Sequence, residues 1–373
     1  MKCPRIDVDL RKVRHNTWAI VERLKVRGIG VTAVTKAVCG HPSIARAMLD
    51  GGAAGLAEPR MSNVIRLRQA GMTCPVTLIR TPMLSQVDDV VYFCEASYNT
   101  ELTVIAALAA SALKQNKVHG VILMVEMGDG REGIIPHSLG EIAQQVVAMP
   151  GVALQGIGAN FACLSNIAPT TQQMRDLSAL ATDVEGQCGP FLQTVSGGNS
   201  ANLPWALEER ATGRINDLRI GEAILLGVDP ITGDHIGGMF RDAFTLVAEV
   251  IETNAKSMQP LLCHSDHSVA KIHLVPETSK ATRIILGIGH QDTDTAGLSM
   301  SQGNTFIGAT SDHLIIGTND ARLCVGSEMR FQMNYSALMR AMAAPDTRAN
   351  LSGDHPAPTK RGAQGPSSYL ALV

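Results

Sequence analysis

The sequence predicts an α/β fold, a (β/α)8 TIM barrel followed by a mainly β C-terminal domain, and two observations carry that expectation. Between residue 30 and about residue 230, short apolar runs alternate with helical stretches of roughly 10 to 20 residues, the rhythm of successive βα units. After about Met239 the rhythm changes to strands joined by turns.

Eight barrel strands are expected, over residues 31–36, 54–58, 76–80, 91–95, 120–126, 154–160, 193–195 and 218–220. They are almost continuously apolar instead of alternating, as strands of a parallel sheet covered on both faces are. Ser43 is expected to cap a helix over 44–49 that Gly51-Gly52 stops, and Gly71 to end the helix that follows Pro59. The later strands are placed at 245–252, 271–274, 283–288, 313–317 and 328–333. An opening strand over 5–8, before a helix that starts near Asp9, stands outside the barrel rhythm and is assigned to the β domain. The tail from about Arg348 is rich in Gly, Pro and Ser and reads as poorly ordered. The expected organisation is thus 1–9 joining the β domain, 10–235 as barrel, 236–346 as β domain and 347–373 as flexible tail.

Composition narrows the function. With 32 basic and 34 acidic residues, nothing advertises a phosphate backbone or an anionic membrane, and aromatics at 3% argue against stacking platforms for single-stranded nucleic acid. A small-molecule partner is the better expectation. Eight scattered cysteines without a CxxC pair indicate a reducing compartment. The amino terminus lacks an apolar signal core, and the apolar run 102–113 is too short to span a bilayer, so a cytoplasmic protein is expected.

In a barrel of this kind, residues that act on substrate sit at the carboxyl ends of the strands. Those ends carry Lys36, Glu58, Arg80, Asn160, the turn Ser196-Gly197-Gly198-Asn199-Ser200, and Arg219-Ile220-Gly221-Glu222. Lys36 is the centre of the pattern. Burial at a strand end favours its neutral amine, the form that condenses with a carbonyl, although the segment alone also suits a surface lysine leaving a strand. The two glycine-bearing turns after the last strands suit a phosphate held on backbone N–H groups and hydroxyls. An amine beside a phosphate cradle describes pyridoxal 5'-phosphate, whose aldehyde forms an imine with lysine. No metal site is expected. His264-Ser265-Asp266-His267 reads as a solvated loop, and Gly128-Asp129-Gly130 is not continued as a calcium loop. Cys39 and Met124, Met127 and Met149 read as packing residues.

Read in order, Ile6-Asp7-Val8-Asp9-Leu10, VTKAVCG (34–40), VEMGDGREG (125–133), ANFAC (159–163), SGGNSAN (196–202), LRIGEAILLG (218–227), GIGHQD (287–292), SDHLII (311–316) and MNYSALMRAMAAP (333–345) resemble the fold-type III pyridoxal-phosphate enzymes of the alanine racemase superfamily, and most closely its ornithine racemase-type branch. The resemblance covers nearly all of residues 4–345. It implies a cytoplasmic PLP-dependent amino-acid racemase, an isomerase interconverting L and D forms of ornithine, lysine or a similar amino acid through an imine and α-proton abstraction. It also implies a homodimer whose active sites are shared between a barrel and the other subunit's β domain.

Carried over by residue, the resemblance makes Lys36 the Schiff-base lysine and acid/base. Arg131 lies near the cofactor's phenolic oxygen and the substrate carboxylate, Arg219 donates to the pyridine nitrogen, and Ser200 with the backbone of Gly221 and Glu222 forms the phosphate site; Ser196, which opens the first glycine-bearing turn, is expected on the cofactor as well. A guanidinium cannot accept a proton, so Arg219 weakens the ring as an electron sink, which suits prompt reprotonation of a carbanion. The related decarboxylases carry Glu-Pro-Gly-Arg near here; this chain has Arg-Ile-Gly-Glu. Asn160 replaces a histidine under the ring, Cys39 a tyrosine near the phosphate, and Asp346 follows Ala344-Pro345 where a tyrosine is common. His290 stands where alanine racemases have the tyrosine that serves as second base. Imidazole titrates near neutrality and is the expected second base, the alternative being a lining role at the entrance. Glu126, Asp292 or Asp312 is expected to pair with a substrate ammonium. The alternatives are a D-amino-acid aldolase or decarboxylase on the same scaffold, or a non-catalytic PLP-binding regulatory protein; the β domain counts against the last.

Overall fold

The computed structural model describes residues 2–189, 191–254, 271–272 and 282–353. After β1 (Arg5–Asp9) come β2 (Gly30–Val34), β3 (Gly55–Glu58), β4 (Val76–Leu78), β5 (Ala96–Asn99), β6 (His119–Val125), β7 (Val152–Ala159), β8 (Thr194–Ser196) and β9 (Asp217–Ile220). Strands β2 to β9 form a closed parallel barrel, with β9 returning to β2 at Val31 opposite Leu218. Every residue of β6 is buried, as a strand lined on one side by helices and on the other by the barrel interior must be. Ala96, Tyr98, Ile122 and Met124 form a separate apolar cluster from β5 and β6, with Ile79 packed against it.

The expected fourth strand is misplaced. Residues 91–93 end a helix, Val87–Phe93, and the strand follows at Ala96–Asn99. Val87, Val90 and Val91 are the buried face of that helix and Asp88 and Asp89 occupy its first turn, so the apolar run belongs to a helical period that a five-residue window hides. The true strand reads as polar because its partners are internal. Ser97 Oγ hydrogen-bonds His119 Nε2 at 2.8 Å, and Asn99 Nδ2 donates to the Ser97 carbonyl at 2.8 Å.

Ser43 is not a cap. The helix runs Pro42–Asp50 with His41 as N-cap, because Pro42 is preorganised for a first helical position. Asp9 does cap the helix Leu10–Lys25, accepting from the backbone of Arg11 and Lys12. The helix Leu102–Lys114 packs Val104, Ile105, Leu108 and Ala112 inward. Among the described residues no helix is long and apolar enough to cross a membrane.

The chain then builds an antiparallel sheet around β10 (Phe244–Asn254), which at Leu246 and Val247 pairs with β1 on one side and with Glu328–Met333 on the other, and whose later half pairs with Thr282–Leu286. Strand Asn304–Ala309 is absent from the sequence expectations; it pairs with Leu314–Thr318 and Lys271–Ile272. The expectation of a flexible tail from Arg348 is also corrected, since Arg348–Ser352 pairs in parallel with β1. Five residues of strand are invisible in the average composition of a long polar tail; Ala349 and Leu351 pack on the core and Asn350 Nδ2 reaches Asp7 Oδ1 at 2.9 Å. Residues 354–373, 273–274 and the His264–His267 segment lie outside the described residues.

Ion pairs and helix packing both tie the β domain to the rest of the chain. Arg5 holds β1 to it through a two-pronged pair with Glu328, each bond 2.6 Å long. The helix Tyr335–Ala343, capped by Asn334, packs against the turn Lys36–Val38 and so brings a segment of the β domain to the barrel mouth.

Candidate active site

A cavity of about 350 Å³ opens at the carboxyl end of the barrel. Lys36, Arg131, Asn160, Ser200, Arg219, Gly221 and Glu222 line it, together with Arg80, Glu132, Cys163, Asn199 and Tyr335. Lys36 does not end a strand. β2 stops at Val34, and Lys36 opens a 3₁₀ turn whose exit, Cys39, takes a left-handed conformation at φ +52°. This turn swings the half-buried lysine over the barrel, with its Nζ 5.4 Å from the centroid of the Tyr335 ring.

Arg219 is 4% exposed and already organised. It donates to Ser196 Oγ at 2.6 Å, to Tyr98 Oη at 3.1 Å and to the Ala159 carbonyl at 2.7 Å, and its guanidinium lies 4.7 Å from the Tyr98 ring centroid. Ser196 in turn donates to Asp217 Oδ2 at 2.6 Å, and Thr32 donates to the other oxygen at 2.7 Å. Ser196, expected on the cofactor, therefore stands behind Arg219 and does not line the cavity. Among the described residues Arg219 has no direct acid partner.

Asp129 is the residue that holds the other wall. Its 3% exposed carboxylate accepts from Asn160 Nδ2 at 2.8 Å and from the backbone of Cys163 and Leu164 at 2.9 and 3.1 Å, and Asn160 Oδ1 accepts from Asn199. These bonds hold its pKa below the usual range against the opposing effect of burial. Arg131 is tied to Glu132 at 2.7 and 3.2 Å and stands 4.0 Å from Asp129. On the opposite wall, a side chain at Gly221 would press on the Val34 carbonyl at 3.2 Å, so glycine lets this turn close over β2. Ser200 Oγ accepts from the Ala223 N–H at 3.3 Å, leaving its own proton free to donate. Burial pushes the Glu222 carboxyl up to about 7, with Lys36 opposing and Asp229 adding to the shift.

Glu58, at the end of β3, is fully buried beside Lys36. Thr35 Oγ1 donates to it at 2.5 Å and Asn63 Nδ2 at 3.0 Å, yet desolvation wins and raises its pKa to about 7. A carboxyl raised in the folded state contributes most below its unfolded pKa, near 4.5, and that stability is lost as the pH climbs through about 7. Glu58→Gln is neutral throughout. The variant is expected to gain on the parent between pH 5 and 8 by an amount on the order of 3 kcal/mol at most. Urea unfolding of the cofactor-free protein at both pH values measures it, and a gap that does not widen with pH would refute it.

Three expected site residues are elsewhere in the same chain. His290, Asp292 and Asp312 share one surface of the β domain, where the His290 and Gln291 N–H groups bond the carbonyls of Thr310 and Ser311. His290 Nδ1 lies 3.4 Å from Thr295 Oγ1, and its buried Nε2 has no partner. Asp292 accepts from the Gly289 N–H at 2.9 Å, and Asp312 from Gln291 Nε2 at 3.2 Å. Glu126 Oε1 is occupied by the Gly128 and Gly130 N–H groups. Strand-end reasoning misses Tyr335, Asp129 and Tyr98. The first two lie inside the family-like motifs, and Tyr98 is hidden by the misplaced strand.

Known proteins give the same picture. Residues 8–230 match the family model of the alanine racemase N-terminal domain. The chain is 34% identical to the lysine racemase of Thermotoga maritima over 351 residues, which cover 92% of this chain and 97% of that one. It is 30% identical to the ornithine racemase of Acetoanaerobium sticklandii over 345 residues, covering 91% and 97%. The crystal structure of alanine racemase from D-cycloserine-producing Streptomyces lavendulae superposes with a TM-score of 0.76 at 18% identity, over 95% of this chain and 99% of that one, a likeness of fold. The chain belongs to the alanine racemase family of amino-acid racemases.

Proposed function

We propose that this enzyme binds pyridoxal 5'-phosphate through Lys36 and racemises ornithine, lysine or a similar amino acid. The observation that carries the reading is one cavity lined both by a lysine amine, on the turn after β2, and by a buried, oriented guanidinium carried by β9. The donor set fits the cofactor. Ser200 and the N–H groups that open the short helix Glu222–Leu226 suit a phosphate, and Arg219 suits a nitrogen that accepts. When bound, the cofactor supplies an aldehyde for the lysine and a conjugated ring that acidifies the substrate's α-C–H.

The proton handling falls to the chain's own groups. Lys36 takes or returns the α-proton on the face it occupies. Arg219 gives a hydrogen bond but no proton, because Ser196, Tyr98 and Ala159 hold a cation that cannot lose one. That restraint favours quick reprotonation over slower chemistry. Arg131, steadied by Glu132 and Asp129, faces the same cavity.

The second base is assigned to His290 of a partner copy, in a homodimer with shared sites. Supporting this, His290 Nε2 has no hydrogen-bond partner among the described residues, and the backbone of His290 and Gln291 is bonded to Thr310 and Ser311, next to Asp312. Among the described residues that line the barrel mouth, Glu222, with its carboxyl pushed up to about 7 by burial, is the one acid not committed to another side chain. Asp292 or Asp312 is therefore the proposed partner of a substrate ammonium. A cytoplasmic setting accords with the free thiols of the described cysteines.

An absorbance scan with and without borohydride, followed by chiral chromatography over a panel of amino acids, tests the reading. A colourless protein, or release of aldehyde or carbon dioxide, would overturn it. His290→Ala is expected to keep deuterium wash-in from one enantiomer and lose it from the other; equal residual exchange from both would remove the two-base assignment. Mixing Lys36→Ala and His290→Ala protomers is expected to restore about a quarter of the parent activity if sites are shared.

A further inference from the structure

A chain of hydrogen bonds joins the loops that follow β6, β7 and β8. Asp129, on the loop after β6, starts it. Its Oδ2 accepts from Asn160 Nδ2 at 2.8 Å, and its Oδ1 gathers the Cys163 and Leu164 N–H groups at 2.9 and 3.1 Å. Asn160 directly follows β7, and its Oδ1 accepts from Asn199 Nδ2 at 3.1 Å. The same Nδ2 donates to the Phe161 carbonyl at 2.7 Å. Asn199 is the N-cap of the 3₁₀ turn Ser200–Asn202: its Oδ1 accepts from the Ala201 N–H at 2.9 Å, and Asn202 Oδ1 accepts from the Asn199 N–H at 3.0 Å. Ser200, on the phosphate side of the cavity, opens that turn.

The chain has a direction, and Asp129 sets it. Burial opposes its ionisation, but the donors around it hold its pKa below the usual carboxylate range, so it accepts and does not donate. An amide has one donating end and one accepting end. With a carboxylate on one side, Asn160 turns its NH2 to Asp129 and its oxygen to Asn199. Asn199 then turns its NH2 back to Asn160 and its oxygen forward to Ala201. The Phe161 carbonyl enforces the same choice, and it sits on the loop whose N–H groups Asp129 collects. An asparagine at 129 would offer both kinds of end and remove that compulsion.

We infer that Asp129 is a positioning residue for the cofactor's phosphate: through Asn160 and Asn199 it fixes the turn that presents Ser200. This rests on the reading of the cavity as a pyridoxal 5'-phosphate site. It adds to that reading a buried group, outside the cavity lining, that prepares the phosphate side from two loops away. Such support raises affinity by sparing the ligand the cost of ordering its own site.

The test titrates the cofactor-free protein with pyridoxal 5'-phosphate and with pyridoxal, the same aldehyde without its phosphate, and follows binding by absorbance. Asp129→Asn is expected to weaken the phosphate ester by about 10–100-fold while leaving pyridoxal as in the parent. A merely structural role would weaken both alike. Asn199→Ala cuts the chain at its far end, so the double variant Asp129→Asn/Asn199→Ala is expected to lose no more than the worse of the two singles. If Asp129→Asn does not fold, Asn160→Ala replaces it in the same cycle, since it breaks the chain and leaves the Cys163 and Leu164 bonds to Asp129 in place. Equal loss of both compounds, an unchanged preference for the phosphate ester, or additive losses in the cycle would each overturn the assignment. A parent that takes up neither compound, or both equally well, would instead bring down the functional reading, so the two failures are told apart.

Discussion

Lys36→Ala is expected to lower kcat by at least about 10⁴-fold while leaving the fold intact, because in the proposed function the residue is both the anchor and one of the two proton carriers. The separation of function from stability comes from its surroundings. Lys36 is half-buried, makes no hydrogen bond among the described residues, and contacts Tyr335 only through its ring, so truncation leaves no unpaired buried partner. A stability change within about 1 kcal/mol is expected. Borohydride reduction followed by mass spectrometry should modify position 36 in the parent and nowhere in the variant. A small external amine should restore part of the proton transfer, with a rate that follows the amine's basicity. A Lys36→Ala protein that still racemises at a tenth of the parent rate would remove the lysine from the chemistry.

How far the sequence can be read depends on where each side chain's partners lie. Lys36, Asn160, Ser200 and Arg219 are legible because a barrel turns strand ends into a common mouth, so position alone predicts company. The structure brings them to one cavity. Ser196 is expected one layer too far forward: strand position puts it at the mouth, but its hydroxyl is consumed between Arg219 and Asp217. Tyr335 is not legible by the same logic, since it comes from a helix of the β domain some 300 residues after Lys36, docked on a 3₁₀ turn that periodicity does not reveal. Tyr98 is lost with its strand. Ser97 hydrogen-bonds both Asn99 and His119 inside the protein, so a fully buried strand looks polar, whereas the valine-rich face of the preceding helix looks like a strand. The parallel strand Arg348–Ser352 escapes for a related reason: its pairing partner, β1, is at the other end of the chain.

Arg219→Ala is the substitution expected to reach furthest, because the guanidinium is a structural hub and, in the proposed function, also the group that faces the cofactor's ring nitrogen. It is 4% exposed and joins four strands: β9, which carries it, β5 through Tyr98, β7 through Ala159, and β8 through Ser196. Removing it leaves the Ala159 carbonyl and the Tyr98 hydroxyl without this donor. It also takes away a positive charge linked to Asp217 through Ser196. Unmade bonds at buried groups cost about 1–3 kcal/mol each, and some recovery through water brings the expected loss to about 2–4 kcal/mol. The loss of an oriented donor at the ring nitrogen adds a fall in kcat of about 10²–10³-fold. Arg219→Lys separates the two effects. A lysine keeps the charge beside Ser196 and Asp217 but offers one point of donation in place of a planar fork stacked on Tyr98, so stability should recover further than rate. Urea midpoints and racemisation rates measured on the same preparations decide the matter. If Arg219→Lys restored rate and stability in equal proportion, charge alone would account for Arg219, and the oriented hydrogen bonds from Arg219 would have no part in the chemistry.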